Sequence, residues 1–81
     1  MDIEKKVKSI LAKSVDNFAL IDQIMVDEDL FMLGMDSISA VRVIIAIENE
    51  FGFEFSEEDL VGETVKDIRS IVRYIASKIS I

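Results

Sequence analysis

The amino-acid sequence contains no cysteine, no histidine and no proline in its 81 residues. The absence of cysteine excludes disulfides and thiolate metal sites. The absence of histidine removes the commonest general base and the commonest zinc ligand, so a Ser-His-Asp triad is impossible in this chain. We therefore predict no metal site, and we expect that the chain is not an enzyme.

Long apolar runs are also missing from the sequence. No segment approaches the roughly 20 apolar residues that a membrane-spanning helix needs. The charged start MDIEKKVKSI lacks the apolar stretch of a signal peptide. We therefore expect a soluble, cytoplasmic protein without membrane insertion. The length of 81 residues predicts one domain, residues 1–81, which we expect to be monomeric.

Basic residues are scarce in the middle of the chain. The formal net charge is −7, and residues 15–63 hold thirteen acidic residues and one basic residue, Arg42. Such a segment repels phosphate backbones, so we expect no nucleic-acid binding. The charge suits basic protein partners, although acidity also serves solubility alone. Both interpretations stay open at this point.

What the sequence does contain is helical periodicity. Apolar residues recur three and four positions apart in residues 2–14, 37–51 and 64–79, which is the spacing of one buried helix face. Thr64 is predicted to be the N-cap of the last of these helices. Gly52 is predicted to end the second helix in a left-handed conformation. No segment alternates apolar and polar residues for long enough to indicate a strand.

Two further segments complete the fold prediction. A short helix is predicted from Glu57 to Val61, beginning at Ser56 with Asp59 three residues on, a variant of the capping box. Residues 15–36 form a connection of a length that is uncommon unless it is packed or functional. Its apolar side chains are expected to hold it on the helices: Phe18, Leu20, Ile21, Ile24, Val26, Leu30, Phe31 and Leu33. The sequence thus predicts an all-α, small four-helix bundle with three major helices, one short helix and a long packed loop between helices 1 and 2.

The second predicted helix has more apolar residues than one core face needs. On a helical wheel, one cluster forms an ordinary core face: Ala40, Val43, Ile44, Ile47 and Phe51. A separate stripe, here called the outward stripe, consists of Ile38, Val41 and Ile45. Either another element such as the long loop covers this stripe, or it is an exposed patch that docks partner proteins or contacts a cargo chain.

Ser37 lies at the start of this helix, within the stretch GMDSI. A nucleophilic role is excluded because there is no histidine, no G-x-S-x-G elbow and no Ser-x-x-Lys at this serine. A calcium loop beginning at Asp27 fails as well, because its register places Phe31, Met32 and Ile38 at ligand and glycine positions. A plain cap by Asp36 explains that aspartate but leaves the serine optional.

An attachment point is the remaining interpretation of Ser37. Gly34 would let the active site of another enzyme approach. A phosphate ester on the serine would lie near the helix N-terminus, where the helix dipole favours anions. The residues alone do not distinguish phosphopantetheine from simple phosphorylation.

The stretch DLFMLGMDSI, followed by an apolar helix that ends in ENEFG, closely resembles the acyl carrier protein family. The signature of that family is an apolar residue, Gly, any residue and Asp-Ser-Leu, then a helix ending in an acidic stretch and Phe-Gly. The last helix of this chain is similar too, and the resemblance covers nearly its whole length. The resemblance implies a four-helix carrier that is not itself an enzyme.

The resemblance also implies a cofactor and its partners. A phosphopantetheinyl transferase would esterify Ser37 with 4′-phosphopantetheine taken from coenzyme A, and the thiol of this arm would hold acyl groups as thioesters. Asp36 matches the residue that the transferase and its metal-assisted chemistry depend on, and Gly34 belongs to the same motif. Acyl-transferring and acyl-modifying enzymes would be the further partners.

The other implied site residues divide into two groups. Partner-facing positions are Ile38, Val41, Arg42, Ile45, Glu48 and Glu54. Core positions that would line a cavity for the acyl chain are Val43, Ile44 and Ile47.

Two positions depart from the pattern of the carriers of fatty acid synthase. Where those carriers usually have Asp-Ser-Leu-Asp followed by Thr-Val-Glu, this chain has Ser39 and Arg42 in place of two acids. Reversing one charge on a docking face changes partner choice more than fold. The departures therefore favour a specialised carrier, for polyketide, peptide, aminoacyl or modified-lipid synthesis, over the housekeeping fatty acid carrier. The alternative is an unmodified helical interaction module that has the carrier fold.

Overall fold

Three α-helices form the framework of the protein. The computed structural model describes residues 2–60 and 62–79. Its helices are α1 (Ile3–Ser14), α2 (Ser37–Phe51) and α3 (Ile68–Ile79). Short 3₁₀ turns lie in the connections, at Asp16–Phe18, Ile21–Gln23, Glu57–Asp59 and Gly62–Val65. No strand occurs in these two described ranges. The predicted all-α class is therefore confirmed. The described residues contain three α-helices, so the fourth, short helix is not confirmed.

The predicted short helix is only a turn. It spans Glu57–Asp59 as a 3₁₀ segment, and Val61 lies outside the described residues. The expected pairing of Ser56 with Asp59 takes another form, because the Ser56 hydroxyl donates to the Asp59 carboxylate at 2.7 Å and caps no backbone N–H. A single turn with three consecutive acids, Glu57 to Asp59, gains too little from backbone hydrogen bonds to extend into an α-helix.

Caps fix both ends of α2 as the sequence predicts. The Asp36 carboxylate accepts a hydrogen bond from the Ser39 backbone N–H at 2.7 Å. Gly52 adopts φ 74°, and its N–H donates to the Glu48 carbonyl at 2.9 Å. An αL residue costs least when it has no Cβ, which explains the glycine.

The predicted start of α3 is wrong. Thr64 lies inside the preceding 3₁₀ turn, and α3 begins only at Ile68. Asp67 is the cap, since its carboxylate accepts from the Ser70 N–H at 2.7 Å. The long loop accounts for the delay: the Leu30 N–H donates to the Lys66 carbonyl at 2.7 Å. That carbonyl is therefore used by a distant segment, which sequence periodicity does not reveal.

The core lies between the three helices and the long loop. Its fully buried side chains include Val7, Leu11, Phe18, Leu30, Val43, Ile47, Val65, Ile68, Ile71 and Ile75. The long loop contributes Phe18, Ile21 and Leu30, as expected, but Leu20 and Leu33 are exposed, which contradicts the prediction for these two. Leu20 lies between the two 3₁₀ turns and belongs to neither, whereas Phe18 and Ile21, at the adjoining ends of those turns, are buried.

Aromatic side chains hold the 53–59 segment against α3. The rings of Phe55 and Tyr74 lie 4.5 Å apart between centroids, and Phe53 stacks on Phe55 at 5.7 Å. The Tyr74 hydroxyl donates to the Asp59 carboxylate at 2.9 Å. Within the described residues no helix is both long and apolar enough to traverse a bilayer.

Candidate functional site

Ser37 is the first residue of α2 and its side chain is exposed. The residue before it, Asp36, has extended backbone and caps the helix, so the chain enters α2 with a sharp change of direction. The hydroxyl therefore stands at the positive end of a fifteen-residue helix, where a bound anion is stabilised.

Asp36 is held in its ionised form by the helix start. The hydrogen bond from the Ser39 backbone N–H is the main cause that lowers the pKa of Asp36, followed by the Ser39 side chain and, more weakly, by the charge of Arg42. A negative carboxylate thus lies next to Ser37 at neutral pH.

The turn that precedes Ser37 depends on Gly34. This residue has φ 118°, a conformation that residues with a Cβ rarely adopt. A Cβ at Gly34 would also lie 2.7 Å from the Asn17 side-chain nitrogen. One residue later, Met35 is buried, and its N–H donates to the Leu30 carbonyl at 3.0 Å. The turn is therefore anchored to the core, which fixes where the serine emerges.

An apolar cavity opens beside Ser37. Its volume is about 190 Å³. It is lined by Phe31, Ser37, Ala40, Val41, Ile44, Leu60, Gly62 and Val65. Ile44, one of the three residues expected to line an acyl cavity, is among them. Val43 and Ile47 lie fully buried in the core and do not line this cavity, so a cavity role for these two stays a prediction.

Several residues of the cavity wall were not anticipated from the sequence. Phe31, Leu60, Gly62 and Val65 come from the long loop and from the segment before α3. Leu60 is 50% exposed. The sequence holds no local signal for this wall, because it depends on how distant segments pack.

The outward stripe is open to solvent. Ile38, Val41 and Ile45 are 67%, 53% and 51% exposed. The long loop therefore does not cover them, and that alternative from the sequence is wrong. Val41 also lines the cavity, which makes the stripe continuous with the surroundings of Ser37. Arg42 is exposed next to the stripe.

The acidic residues at the far end of α2 contact other parts of this chain. The Glu48 carboxylate is partly buried and accepts from the Phe55 N–H at 2.9 Å. Glu50 pairs with Lys6 of α1 at 2.8 Å. Glu54 is exposed beyond the end of the helix. A partner-facing role for Glu48 and Glu54 stays a prediction, and Glu48 has in addition a structural role in holding the segment after α2.

The surroundings of Ser37 fit a phosphopantetheine arm on three counts. The hydroxyl is exposed, the helix start favours a phosphate, and the adjoining cavity is apolar. No group of three acidic side chains in the described ranges could hold a metal ion.

Comparison with known proteins agrees with this geometry. A sequence model of the family described as "Phosphopantetheine attachment site" matches residues 5–75. The acyl carrier protein of Thermosynechococcus vestitus is 33% identical over 81 residues, covering 98% of this chain and 94% of that protein. The acyl carrier protein of Buchnera aphidicola subsp. Baizongia pistaciae is 36% identical over 72 residues, covering 86% of each chain.

Proteins of this kind carry covalently attached 4′-phosphopantetheine, interact with phosphopantetheinyl transferases and acyl-handling enzymes, and are carriers, not enzymes. The match covers most of the chain and includes Ser37, the outward stripe and the residues around the cavity. The chain therefore belongs to the acyl carrier protein family.

Proposed function

We propose that Ser37 is the attachment residue and that the chain presents acyl, aminoacyl or polyketide groups to partner enzymes. The observation that carries this proposal is the exposed hydroxyl of Ser37 at the N-terminus of α2, beside an apolar cavity. When bound, the phosphopantetheine arm supplies a thiol that holds the cargo as a thioester, a chemistry for which this cysteine-free chain has no group of its own.

Each residue around Ser37 has a separate role in the attachment reaction. The Ser37 oxygen would form the ester bond to phosphorus as the pyrophosphate bond of coenzyme A breaks and its adenosine bisphosphate half leaves. The serine proton would pass to a base on the transferase, since this chain has no histidine to accept it. The helix dipole stabilises the phosphate that remains. Asp36 keeps the helix start in place through Ser39 and offers a charged contact to the transferase. Gly34 allows the turn that exposes the hydroxyl.

The cavity and the outward stripe serve the cargo and the partner. Ile44 and Ala40 give the cavity an apolar wall that takes up the first carbons of an acyl chain. Ile38, Val41 and Ile45 offer an exposed apolar surface on which a partner enzyme gains burial of apolar area. The chain does this as a monomer that meets one partner at a time.

A specialised pathway suits this chain better than housekeeping fatty acid synthesis. The docking face has Arg42 and Ser39 where acids are usual in carriers of fatty acid synthase. A reversed charge at such a face weakens binding to enzymes that expect an acid. The cargo would be an intermediate of polyketide, peptide or modified-lipid synthesis.

Intact mass spectrometry tests the proposal. The purified chain is incubated with coenzyme A and a broad-specificity phosphopantetheinyl transferase, together with Ser37→Ala and Ser39→Ala variants. Ser39 lies two residues further on in the same turn of α2 and serves as the matched control. We expect a single phosphopantetheine increment on wild type and Ser39→Ala, and none on Ser37→Ala. No increment on wild type would favour the unmodified interaction module.

A further inference from the structure

Arg42 is the single basic residue among thirteen acidic ones in residues 15–63. Its side chain is exposed on α2. It takes part in no ion pair with another residue of the ranges 2–60 and 62–79. A cation without a partner in an acidic segment does not contribute to the fold through pairing. It is thus available to another molecule.

Arg42 lies next to the outward stripe on the surface of α2. It follows Ile38 by four residues and precedes Ile45 by three, and side chains at these separations are neighbours on a helix surface. Both isoleucines are more than half exposed. The first three turns of α2 therefore present an apolar surface with one positive charge in it.

The acids near Arg42 do not pair with it. Asp36, at the start of α2, feels the charge of Arg42 but forms no ion pair with it. Glu50 is occupied by Lys6 at 2.8 Å, and Glu48 accepts from the Phe55 N–H at 2.9 Å. Between Asp36 at the start of α2 and Glu48 near its end, Arg42 is therefore the only charged residue of this helix.

We propose that the outward stripe binds partner enzymes that set a carboxylate against Arg42, beside an apolar recess for Ile38 and Ile45. This inference rests on the proposed carrier function. A guanidinium and a carboxylate pair through two parallel hydrogen bonds, which fixes orientation as well as attraction. A lysine or arginine of a partner at the same point would be repelled, so Arg42 also excludes enzymes that accept an acid there.

A transacylase that serves carriers with an acid at this position tests the inference. The probe is the malonyl-CoA transacylase of bacterial fatty acid synthesis. Wild type, Arg42→Glu and Lys5→Glu are loaded to completion with phosphopantetheine, and the loading is verified by mass. Lys5→Glu changes the net charge equally at an exposed position in the first turn of α1, which distinguishes a local contact from the overall charge. The value of kcat/KM is then measured for each carrier.

We expect Arg42→Glu to raise kcat/KM at least about fivefold over wild type, because a charge that the transacylase repels is replaced by one that it attracts. We expect Lys5→Glu to raise kcat/KM less than about twofold, because it changes only the net charge. Among single Lys→Glu or Arg→Glu reversals on the carrier-binding surface of the transacylase, at least one should raise kcat/KM for the wild-type carrier and lower it for the Arg42→Glu carrier. Equal rates for wild type and Arg42→Glu, or no such reversal, would overturn the inference alone. A wild type that cannot be loaded would instead refute the carrier function, and with it this inference.

Discussion

The core face and the outward stripe of α2 both carry β-branched residues but lie in opposite environments. On the core face Val43 and Ile47 are fully buried, whereas the outward stripe is more than half exposed at each of its three residues. These β-branched side chains have no advantage in a helix over leucine or alanine. Packing explains the core face. The outward stripe gains little from packing within the described residues, and we propose that it serves as a surface for partner enzymes.

Alanine substitutions on the two faces of α2 should differ most in their effect on the free energy of unfolding. Ile47→Ala removes a fully buried side chain, and we expect it to lower the free energy of unfolding by about 2–5 kcal/mol. Ile45→Ala removes a side chain that is about half exposed, and we expect a change below about 1 kcal/mol. Urea unfolding followed by circular dichroism measures both. Similar losses at the two positions would show that the outward stripe belongs to the core.

The two glycines near the ends of α2 extend the comparison to the backbone. Gly34→Ala places a Cβ 2.7 Å from Asn17 at φ 118°, so we expect a loss of about 1–3 kcal/mol in stability. A Cβ at Gly52 would have no atom within 4 Å, so Gly52→Ala should lose stability only through the αL conformation of a residue with a Cβ, about 1 kcal/mol. Thermal unfolding of the two variants compares them. A larger loss at Gly52 would mean that the turn before Ser37 is less constrained than the geometry indicates.

Asp36→Asn separates the helix cap from the charge beside Ser37. Asparagine also caps a helix but carries no charge, so we expect a small loss of stability at neutral pH. Because the folded state lowers the pKa of Asp36, the aspartate contributes stability above its unfolded value of 3.8, and this is lost as the pH falls through the folded pKa. The variant should therefore lose less stability than wild type below pH 3.8.

The same variant also measures the role of the carboxylate in loading. If the transferase contacts this charge, the initial rate of phosphopantetheine transfer to Asp36→Asn should fall severalfold, while Asp22→Asn, at an exposed position of the long loop, should match wild type. Unchanged loading of Asp36→Asn would assign this residue to the cap alone.

Local sequence features predicted α1 and α2 well. The periodic apolar positions, the Asp36 cap and Gly52 all act over one or two turns, so the bounds of α2 follow from neighbouring residues. The helical wheel placed Ile38, Val41 and Ile45 off the core face but left open whether another element covers them. The motif around Ser37 predicted this serine as the attachment residue.

Contacts between distant segments could not be predicted from the sequence. The Leu30 N–H donates to the Lys66 carbonyl, and α3 begins at Ile68 instead of at the predicted cap Thr64. The cavity wall formed by Phe31, Leu60 and Val65 depends on the same packing of the long loop. The family resemblance placed Glu48 among the partner-facing residues, but the sequence did not reveal that its carboxylate also accepts from the Phe55 N–H of its own chain. Periodicity describes one helix at a time and carries no information on such pairings.

The central claim is that the outward stripe exists for partners and not for the fold, and Ile45→Asp tests it most directly. The variant is compared with Ser9→Asp, which adds the same charge at an exposed position in the middle of α1. The initial rate of loading by the transferase and the free energy of unfolding are measured on the same preparations. We expect Ile45→Asp to lose severalfold in rate with less than about 2 kcal/mol in stability, and Ser9→Asp to change neither. An unchanged rate, or a stability loss well above about 2 kcal/mol, would contradict the account.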